Sequence, residues 1–116
     1  MIKNRSQIGK QAFNHKHFRW IPGMLDYETG LRFDEFTDDW EGECPDIEDM
    51  CTAYCLLKIV REEKNDMSIF TEPVPQDESD YRFQWEVSQY MTYDTIETLG
   101  SGKTENDAIF NSFIAL

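Results

Sequence analysis

A nearly perfect alternation of side-chain types over residues 81–93 constrains the fold of this chain more than any other feature. Six of the seven odd positions carry apolar or aromatic side chains, and six of the seven even positions from 82 to 94 carry polar ones. Because successive side chains of a strand point to opposite faces, this pattern predicts a β-strand with one buried face. Trp85, in the middle of the apolar set, is predicted to lie in the core.

Two helices are predicted, one before and one after that strand. A proline and acidic residues at 45–49 favour a helix start, and the residues from 50 to 60 are largely apolar. This pattern predicts a central buried helix over residues 47–63. Thr104 begins a Thr-x-x-acid capping pattern, and the apolar spacing after it predicts an amphipathic C-terminal helix.

The remaining segments are predicted to be strands, turns and a loop. Residues 1–36 are interpreted as a β-meander, with a short strand at 18–21, a turn at Pro22-Gly23 and a hairpin around residues 28–30. Residues 71–80 carry two prolines and four acids, which predicts a surface loop. Residues 95–99 continue or pair with the long strand, and a turn is expected at 100–102.

These elements predict an α+β fold, in which a mostly antiparallel β-sheet is packed by a central buried helix and a C-terminal amphipathic helix. The chain has 116 residues, which is the size of one domain spanning residues 1–116. Residues 1–20 contain five basic residues and no acid. Residues 1–16 are therefore interpreted as a flexible basic arm that can fold back onto acidic parts of the chain.

The overall charge excludes several classes of partner. Eleven Lys and Arg stand against 23 Asp and Glu, a net charge of -12, which disfavours direct binding to nucleic acid or to anionic membranes. No apolar run approaches the roughly 20 residues of a membrane span, and the N-terminus is too polar for a signal peptide. Three cysteines, an odd number, suit a reducing compartment. We expect a cytoplasmic protein.

A glycine-rich segment near the C-terminus resembles part of a phosphate-binding loop. Residues 100–104 read Gly-Ser-Gly-Lys-Thr, but the full pattern requires a further glycine at the position of Glu97. Only about a dozen residues follow, too few for the parallel αβ units of a nucleotide site. The segment is therefore interpreted as a helix-capping turn, and no cofactor is expected.

The cysteines and histidines offer zinc-type ligands at unfavourable spacing. Cys51 and Cys55 share a helical face within the apolar stretch, where free cysteine commonly packs as a small hydrophobe, and His15 and His17 lie in the basic arm. No Cys-x-x-Cys pair is present, and no nucleophile can be matched to a base. We predict core packing for the two cysteines, no metal site and no enzymatic activity. A small metal-dependent or carboxylate-based enzyme is the alternative.

The densest charge lies between Asp34 and Asp49, where nine of sixteen residues are acidic and the aromatic residues Phe36 and Trp40 are interspersed. Acidic loops commonly serve only solubility, but carboxylates around aromatic anchors can also dock into a basic groove. We predict protein-protein interaction through this acidic surface, with a basic nucleic-acid-binding host protein as the candidate partner. The predicted partner-binding residues are Asp34, Glu35, Asp38, Asp39, Trp40, Glu41 and Glu43.

Several short motifs, taken together, resemble a family of small uncharacterised proteins encoded by bacteriophages and prophages. Residues 18–24 are similar to the RWMPGM opening of that family, and residues 45–49 with 55–62 are similar to its PDL-D and CLL-LVRE segments. Residues 85–87 and 102–109 resemble its closing strand and G-TE-EA helix. The resemblance implies a phage origin and a location in the cytoplasm of the bacterial host cell. It implies no catalytic residue and no specific activity.

Overall fold

The described part of the chain folds into three helices and a three-stranded antiparallel sheet, which confirms the α+β prediction. The computed structural model describes residues 4–36, 38–77 and 80–116, and it gives only the backbone of residues 77 and 80–83. Lys3 of the basic arm and the side chains of Tyr81 and Phe83 therefore lie outside the described part. The elements are α1 (Arg5–Phe13), α2 (Met50–Glu63), β1 (Phe70–Asp77), β2 (Asp80–Thr92), β3 (Thr95–Gly102) and α3 (Glu105–Ile114).

Helix α2 begins three residues later than predicted. Its N-cap is Asp49, whose carboxylate accepts a hydrogen bond from the backbone N–H of Thr52 at 3.0 Å. The preceding residues are held elsewhere, because Pro45 forms an isolated antiparallel bridge with Asp26. The helix buries one face and exposes the other, on which Met50 and Tyr54 lie. It is therefore amphipathic, and not apolar nearly all round as its composition suggested.

The sheet has the strand order β1-β2-β3, and strand β2 confirms the predicted strand over residues 81–93. The prediction of a loop at 71–80 is wrong for residues 71–77, which belong to β1 (Phe70–Asp77), and for Asp80, where β2 begins; residues 78 and 79 lie outside the described part of the chain. Pro73 and Pro75 are paired with Trp85 and Phe83 of β2. An edge strand tolerates proline when the missing N–H would face away from the neighbouring strand, which is how two prolines fit into β1.

The single buried face predicted for β2 is interrupted by an irregularity. The pairing of β2 with β3 shifts register between Val87 and Ser88, and both residues are fully buried. Val87 pairs with Gly100 and Ser88 with Thr98, so the extra residue of this bulge is Leu99 in β3. Trp85 is only partly buried against the core, and Met91, which lies at a second register shift between Tyr90 and Thr92, is exposed. Trp85 therefore packs against the core, as predicted, but it is not fully buried there.

Helix α3 contacts α2 and all three strands, and it buries Phe113 and Ile109 between them. Thr104 is its N-cap, as predicted, and accepts a hydrogen bond from the N–H of Asp107 at 3.1 Å. The turn predicted at 100–102 is wrong, because these residues belong to β3. Gly100 is needed for packing there, since a Cβ atom would lie 2.4 Å from the backbone nitrogen of Ser112.

The N-terminal segment differs most from its prediction. Residues 5–13 form α1, stabilised by a capping box between Asn4 and Gln7, so the predicted β-meander is wrong. Residues 18–21 are not a strand. The predicted hairpin around residues 28–30 is present, because Leu25 and Arg32 form an antiparallel bridge and the N–H groups of Asp26 and Phe33 donate to the carbonyls of Leu31 and Met24 at 2.9 and 2.7 Å. The predicted turn at Pro22-Gly23 is present, and Gly23 has a φ of +104° that favours glycine.

The basic arm predicted at residues 1–16 therefore contains a docked helix. Ala12 of α1 is fully buried in the core, and α1 contacts α3. The predicted folding back is visible at Arg5, whose guanidinium donates to the Asp46 carboxylate at 3.1 and 2.9 Å. A buried alanine and a bidentate ion pair together fix this helix on the domain.

Candidate functional site

The candidate site is the loop of residues 34–43, which we call the acidic segment. Both of its ends are joined to residues 23–27. At one end, the backbone N–H of Phe33 donates to the carbonyl of Met24 at 2.7 Å. At the other end, the N–H of Cys44 donates to the buried carboxylate of Asp26 at 3.0 Å, and the Cys44 carbonyl accepts from Tyr27 at 2.8 Å. These bonds fix the two stems of the loop.

The structure brings all the predicted partner-binding residues together on this one loop. Its six carboxylates are exposed, and in the described part of the chain none of them takes part in an ion pair. They are Asp34, Glu35, Asp38, Asp39, Glu41 and Glu43. The acidic segment therefore presents uncompensated negative charge to solvent.

The acids that follow the segment behave differently, because each of them is paired with an arginine. Asp46 and Glu48 both accept hydrogen bonds or ion pairs from Arg5, at 2.9 and 3.0 Å respectively. Asp49 accepts two hydrogen bonds from the Arg32 guanidinium, each 2.9 Å long. These bonds from Arg32, with those from Thr52, hold the pKa of the Asp49 carboxyl below its usual value. The nine acids predicted as one cluster thus divide into six free and three structural carboxylates.

Trp40 is the internal anchor of the acidic segment. Its ring packs edge-on against Trp20, with 4.9 Å between ring centroids, and against Phe33 at 5.4 Å. The side chain is partly buried, and its indole N–H finds no hydrogen-bond partner within the described residues. Trp40 therefore holds the loop against the domain, and little of its ring is available to a partner.

Phe36 is the aromatic residue that the segment exposes. Its side chain is 82% exposed, and its backbone N–H donates to the Asp34 carboxylate at 3.1 Å in a local turn. Interspersed aromatic residues were the sequence signal for this site, but sequence alone did not separate the buried Trp40 from the free Phe36. The structure therefore adds Phe36 to the candidate contact residues.

A shallow cleft of about 400 Å³ lies beside the acidic segment. Leu31, Arg32 and Trp40 contribute to its lining. Asp39 and Glu41 line the same cleft. This concave surface offers apolar contact next to carboxylates, which suits the stem and head of a basic side chain.

Of the two cysteines predicted to pack in the core, Cys55 packs against it and Cys51 does not. Cys44 is buried against α1, where its thiol contacts the carbonyl of Ser6 at 3.5 Å, whereas Cys51 is exposed. The prediction of core packing for Cys51 is therefore wrong, because α2 turns that position to solvent. Cys55 is partly buried, and desolvation together with the neighbouring Cys51 raises its pKa to about 11. A thiol with a raised pKa is a poor nucleophile.

The groups required by the enzyme alternative do not gather in one cleft of the described chain. His15 lies against Phe113, with 4.6 Å between ring centroids, and its Nε2 is 3.2 Å from the carbonyl of Ile114. The buried Asp26 carboxylate accepts hydrogen bonds from the N–H groups of Thr29 and Cys44, so its oxygens serve the loops. Within residues 4–36, 38–77 and 80–116, no cluster of three His, Cys, Asp or Glu could hold a metal ion.

The segment that resembles a phosphate-binding loop has a structural role. The Thr104 hydroxyl is engaged as the N-cap of α3, and Lys103 is exposed. Gly102 approaches the same helix, since a Cβ atom there would lie 2.5 Å from the Cβ of Asp107. The glycines therefore serve helix-strand packing.

Comparison of the chain with known protein families, curated proteins and solved structures finds no match. The longest helix in the described part of the chain is α2, with 14 residues. No helix there combines the length and apolarity that a membrane-spanning helix needs.

Proposed function

We propose that this is a non-catalytic interaction protein of phage origin that binds a basic protein partner through the acidic segment. The candidate partner is a nucleic-acid-binding host protein, whose phosphate-binding groove the carboxylates would occupy. The observation that carries the proposal is the set of six exposed carboxylates that form no ion pair within the described residues and lie on the same loop as the exposed Phe36. The resemblance of residues 18–24 and 45–62 to phage and prophage proteins supports the origin, and hence the host cytoplasm as the site of action.

Charge supplies the long-range part of the proposed binding. The whole chain carries a net charge of -12, and the six unpaired carboxylates concentrate part of it on one loop. A field of this kind steers a basic partner and raises the association rate, most strongly at low ionic strength. We therefore expect association to slow as salt increases.

Phe36 supplies the short-range part. Phe36 is 82% exposed, and its burial by a partner would favour binding because apolar surface is removed from water. Aromatic residues near the centre of an interface commonly contribute most of the binding energy, while surrounding charges mainly set rate and specificity. The position of Phe36 between Asp34 and Asp38 in the sequence suits such an anchor.

The fixed stems of the segment lower the cost of binding. They are held by backbone hydrogen bonds to residues 23–27, and Trp40 packs against Trp20 and Phe33. A loop with anchored stems loses less conformational entropy on association than a free acidic tail. These contacts support a binding role for the segment.

The test begins with an affinity pull-down from bacterial lysate, repeated at high salt to identify partners held by charge. The association rate of the captured partner is then measured with the variant in which Asp38, Asp39, Glu41 and Glu43 are all changed to Lys. We expect association to slow at least about ten-fold at low salt. A partner that binds this variant as fast as the original protein would overturn the proposal.

Two matched controls separate the site from overall charge. Net charge changes equally in the Asp38→Lys/Asp39→Lys variant and in the Asp94→Lys/Glu97→Lys variant. The second pair lies outside the acidic segment, because exposed Asp94 is in the turn between β2 and β3 and exposed Glu97 is in β3. Only the first pair should slow association strongly. Phe36→Ala should speed dissociation, whereas Tyr93→Ala, at a fully exposed aromatic residue outside the segment, should not. The proposed site would be contradicted if either control variant changed binding as much as the segment variant to which it is matched.

A further inference from the structure

A second cleft, separate from the acidic segment, lies where four parts of the chain meet. These parts are α1, the turn before α2, strand β2 and the N-terminal end of α3. The cleft has a volume of about 470 Å³. Its apolar lining comes from Ile8, Ile47, Met50 and Trp85. A concave apolar surface of this size is typical of a binding site.

The cleft is held open by contacts between its own walls. The side-chain amide of Asn106 in α3 donates hydrogen bonds to the carbonyls of Ile47 and Glu48, each at 3.0 Å. These bonds fix the turn before α2 against the start of α3. The partly buried Trp85 and the 63% exposed Met50 are then left facing a cavity that neither fills. Methionine is flexible and polarizable, which suits adaptable apolar contact.

The charges around the cleft are predominantly negative. Glu48, Glu105 and Asp107 line it, and Arg5 is the cation among its lining residues in the described chain. The Arg5 guanidinium is already bound to Asp46 and Glu48, at 2.9 and 3.0 Å. An incoming ligand therefore meets an apolar floor with an acidic rim.

We propose that this cleft binds an apolar side chain, aromatic or aliphatic, that is flanked by Lys or Arg in a peptide segment of a protein partner. The apolar group would contact Trp85 and Met50, and the flanking cation would lie near Glu105 and Asp107. A second copy of this chain is disfavoured as the occupant because each copy has a net charge of -12. The proposal does not depend on the acidic segment.

The probe is the acetylated tripeptide amide Lys-Phe-Lys, titrated into the ¹⁵N-labelled full chain and followed by NMR. We expect weak binding, with a dissociation constant on the order of 1 mM, as is usual for a ligand this small. The shifted signals should be the indole N–H of Trp85 and the side-chain amide of Asn106. Glu-Phe-Glu and Lys-Ala-Lys, which remove the charge match or the apolar group, should each bind about five-fold or more weakly.

A matched pair of methionine variants tests the location. Met50→Lys places a cation at the mouth of the cleft and should weaken Lys-Phe-Lys binding about five-fold or more. Met67→Lys makes the same change at a methionine outside the cleft that is 66% exposed, and it should leave binding within about two-fold. Met50→Ala, which keeps the charge and shortens the wall, should also weaken binding if Met50→Lys proves unstable.

Three results would overturn the inference. The first is equal binding of Glu-Phe-Glu, and the second is unchanged binding in both Met50 variants. The third is a set of shifts centred on residues 34–43 that disappears in Asp38→Lys/Asp39→Lys, since the peptide would then be bound by the acidic segment. That third result would overturn the cleft proposal and leave the proposed function intact. Binding at the cleft, with no partner found for the acidic segment, would support the cleft proposal and count against the proposed function.

Discussion

The N-terminal half of the chain, residues 4–49, and the C-terminal half, residues 50–116, are stabilised by different kinds of interaction. Of the fifteen buried apolar residues in the described chain, eleven lie after residue 49, in α2, the sheet, α3 and their connections. Residues 4–49 contribute only four of them, but they contain both buried carboxylates, Asp26 and Asp46. The C-terminal half thus rests mainly on apolar packing, whereas the N-terminal half combines a few buried polar contacts with aromatic contacts such as that between Trp20 and Trp40.

This difference explains where the proposed binding surface can exist. The N-terminal half has one helix and two isolated bridges, so most of its backbone is loop. Loops can present side chains such as Phe36 to solvent in arrangements that helices and strands do not offer, provided that something fixes them. Asp26 and the Trp20-Trp40 contact provide that constraint. The regular half serves as the platform on which these loops are held.

The largest expected effect tests the apolar half. Phe113 is fully buried in α3, and Phe113→Ala should lower the free energy of unfolding by about 3–5 kcal/mol, through lost burial and the cavity left behind. Urea unfolding measures this change. Trp85→Ala should cost less than Phe113→Ala because Trp85 is only partly buried. A larger loss at Trp85 would show that the apolar centre lies nearer the cleft than the structure places it.

The next largest effect tests the polar half. Asp26→Ala removes the acceptor for the N–H groups of Thr29 and Cys44 and should lower the free energy of unfolding by about 2–3 kcal/mol. Hydrogen exchange should accelerate at these two amides while the amides of α3 stay protected. Asp34→Ala, which removes an exposed acceptor, is the control and should change stability by less than about 0.5 kcal/mol. Uniform acceleration across the chain would contradict a local role.

A smaller effect is expected at a helix terminus of the apolar half. Thr104→Ala removes the N-cap of α3 and should lower the free energy of unfolding by about 1 kcal/mol. Lys103→Ala, one residue earlier and exposed, should leave stability unchanged. Thermal or urea unfolding of both variants provides the measurement. If Thr104→Ala and Lys103→Ala lowered the free energy of unfolding equally, the N-cap hydrogen bond of Thr104 would have no specific stabilising effect.

The same division explains which elements could be predicted from the sequence. Strand β2 and helices α2 and α3 were predicted because apolar packing imposes a period of two or of 3.6 on the chain. Strand β1 was missed because Pro73 and Pro75 are tolerated only at an edge, and the strand order is not visible in the sequence. Helix α1 was missed, although the spacing of Asn4 and Gln7 contained a capping-box signal.

The candidate site was predicted in outline for similar reasons. Charge density identified the acidic segment, and exposure of its carboxylates follows from the cost of burying them. The distinction between Trp40 and Phe36 depends on Trp20, which lies twenty residues before Trp40 in the chain. The second cleft depends on four elements that only the fold brings together. Contacts of this kind have no local pattern.

The smallest expected effect concerns pH and the ion pair that closes the polar half. Arg32 holds the pKa of Asp49 below its usual value in the folded protein, so the ionised carboxylate is favoured by folding. Its contribution is therefore fully present above the unfolded pKa of about 3.9 and is lost as the pH falls through the lower folded value. Asp49→Asn keeps a good N-cap but loses the ion pair, and at neutral pH it should cost about 0.5–1 kcal/mol.

The decisive measurement is the slope of stability against pH below about 4, where the Asp49 carboxyl becomes protonated. Asp49→Asn should lose less stability on acidification than the original protein, because it has no charge left to titrate at this position. Arg32→Gln removes the partner and should flatten the same part of the curve, since the two side chains share both hydrogen bonds. The double variant should then be no flatter than either single one. If the double variant had a flatter pH dependence than either single variant, Asp49 and Arg32 would act through separate partners. The ion pair between them would then not be the contact that connects the loop of Arg32 to α2.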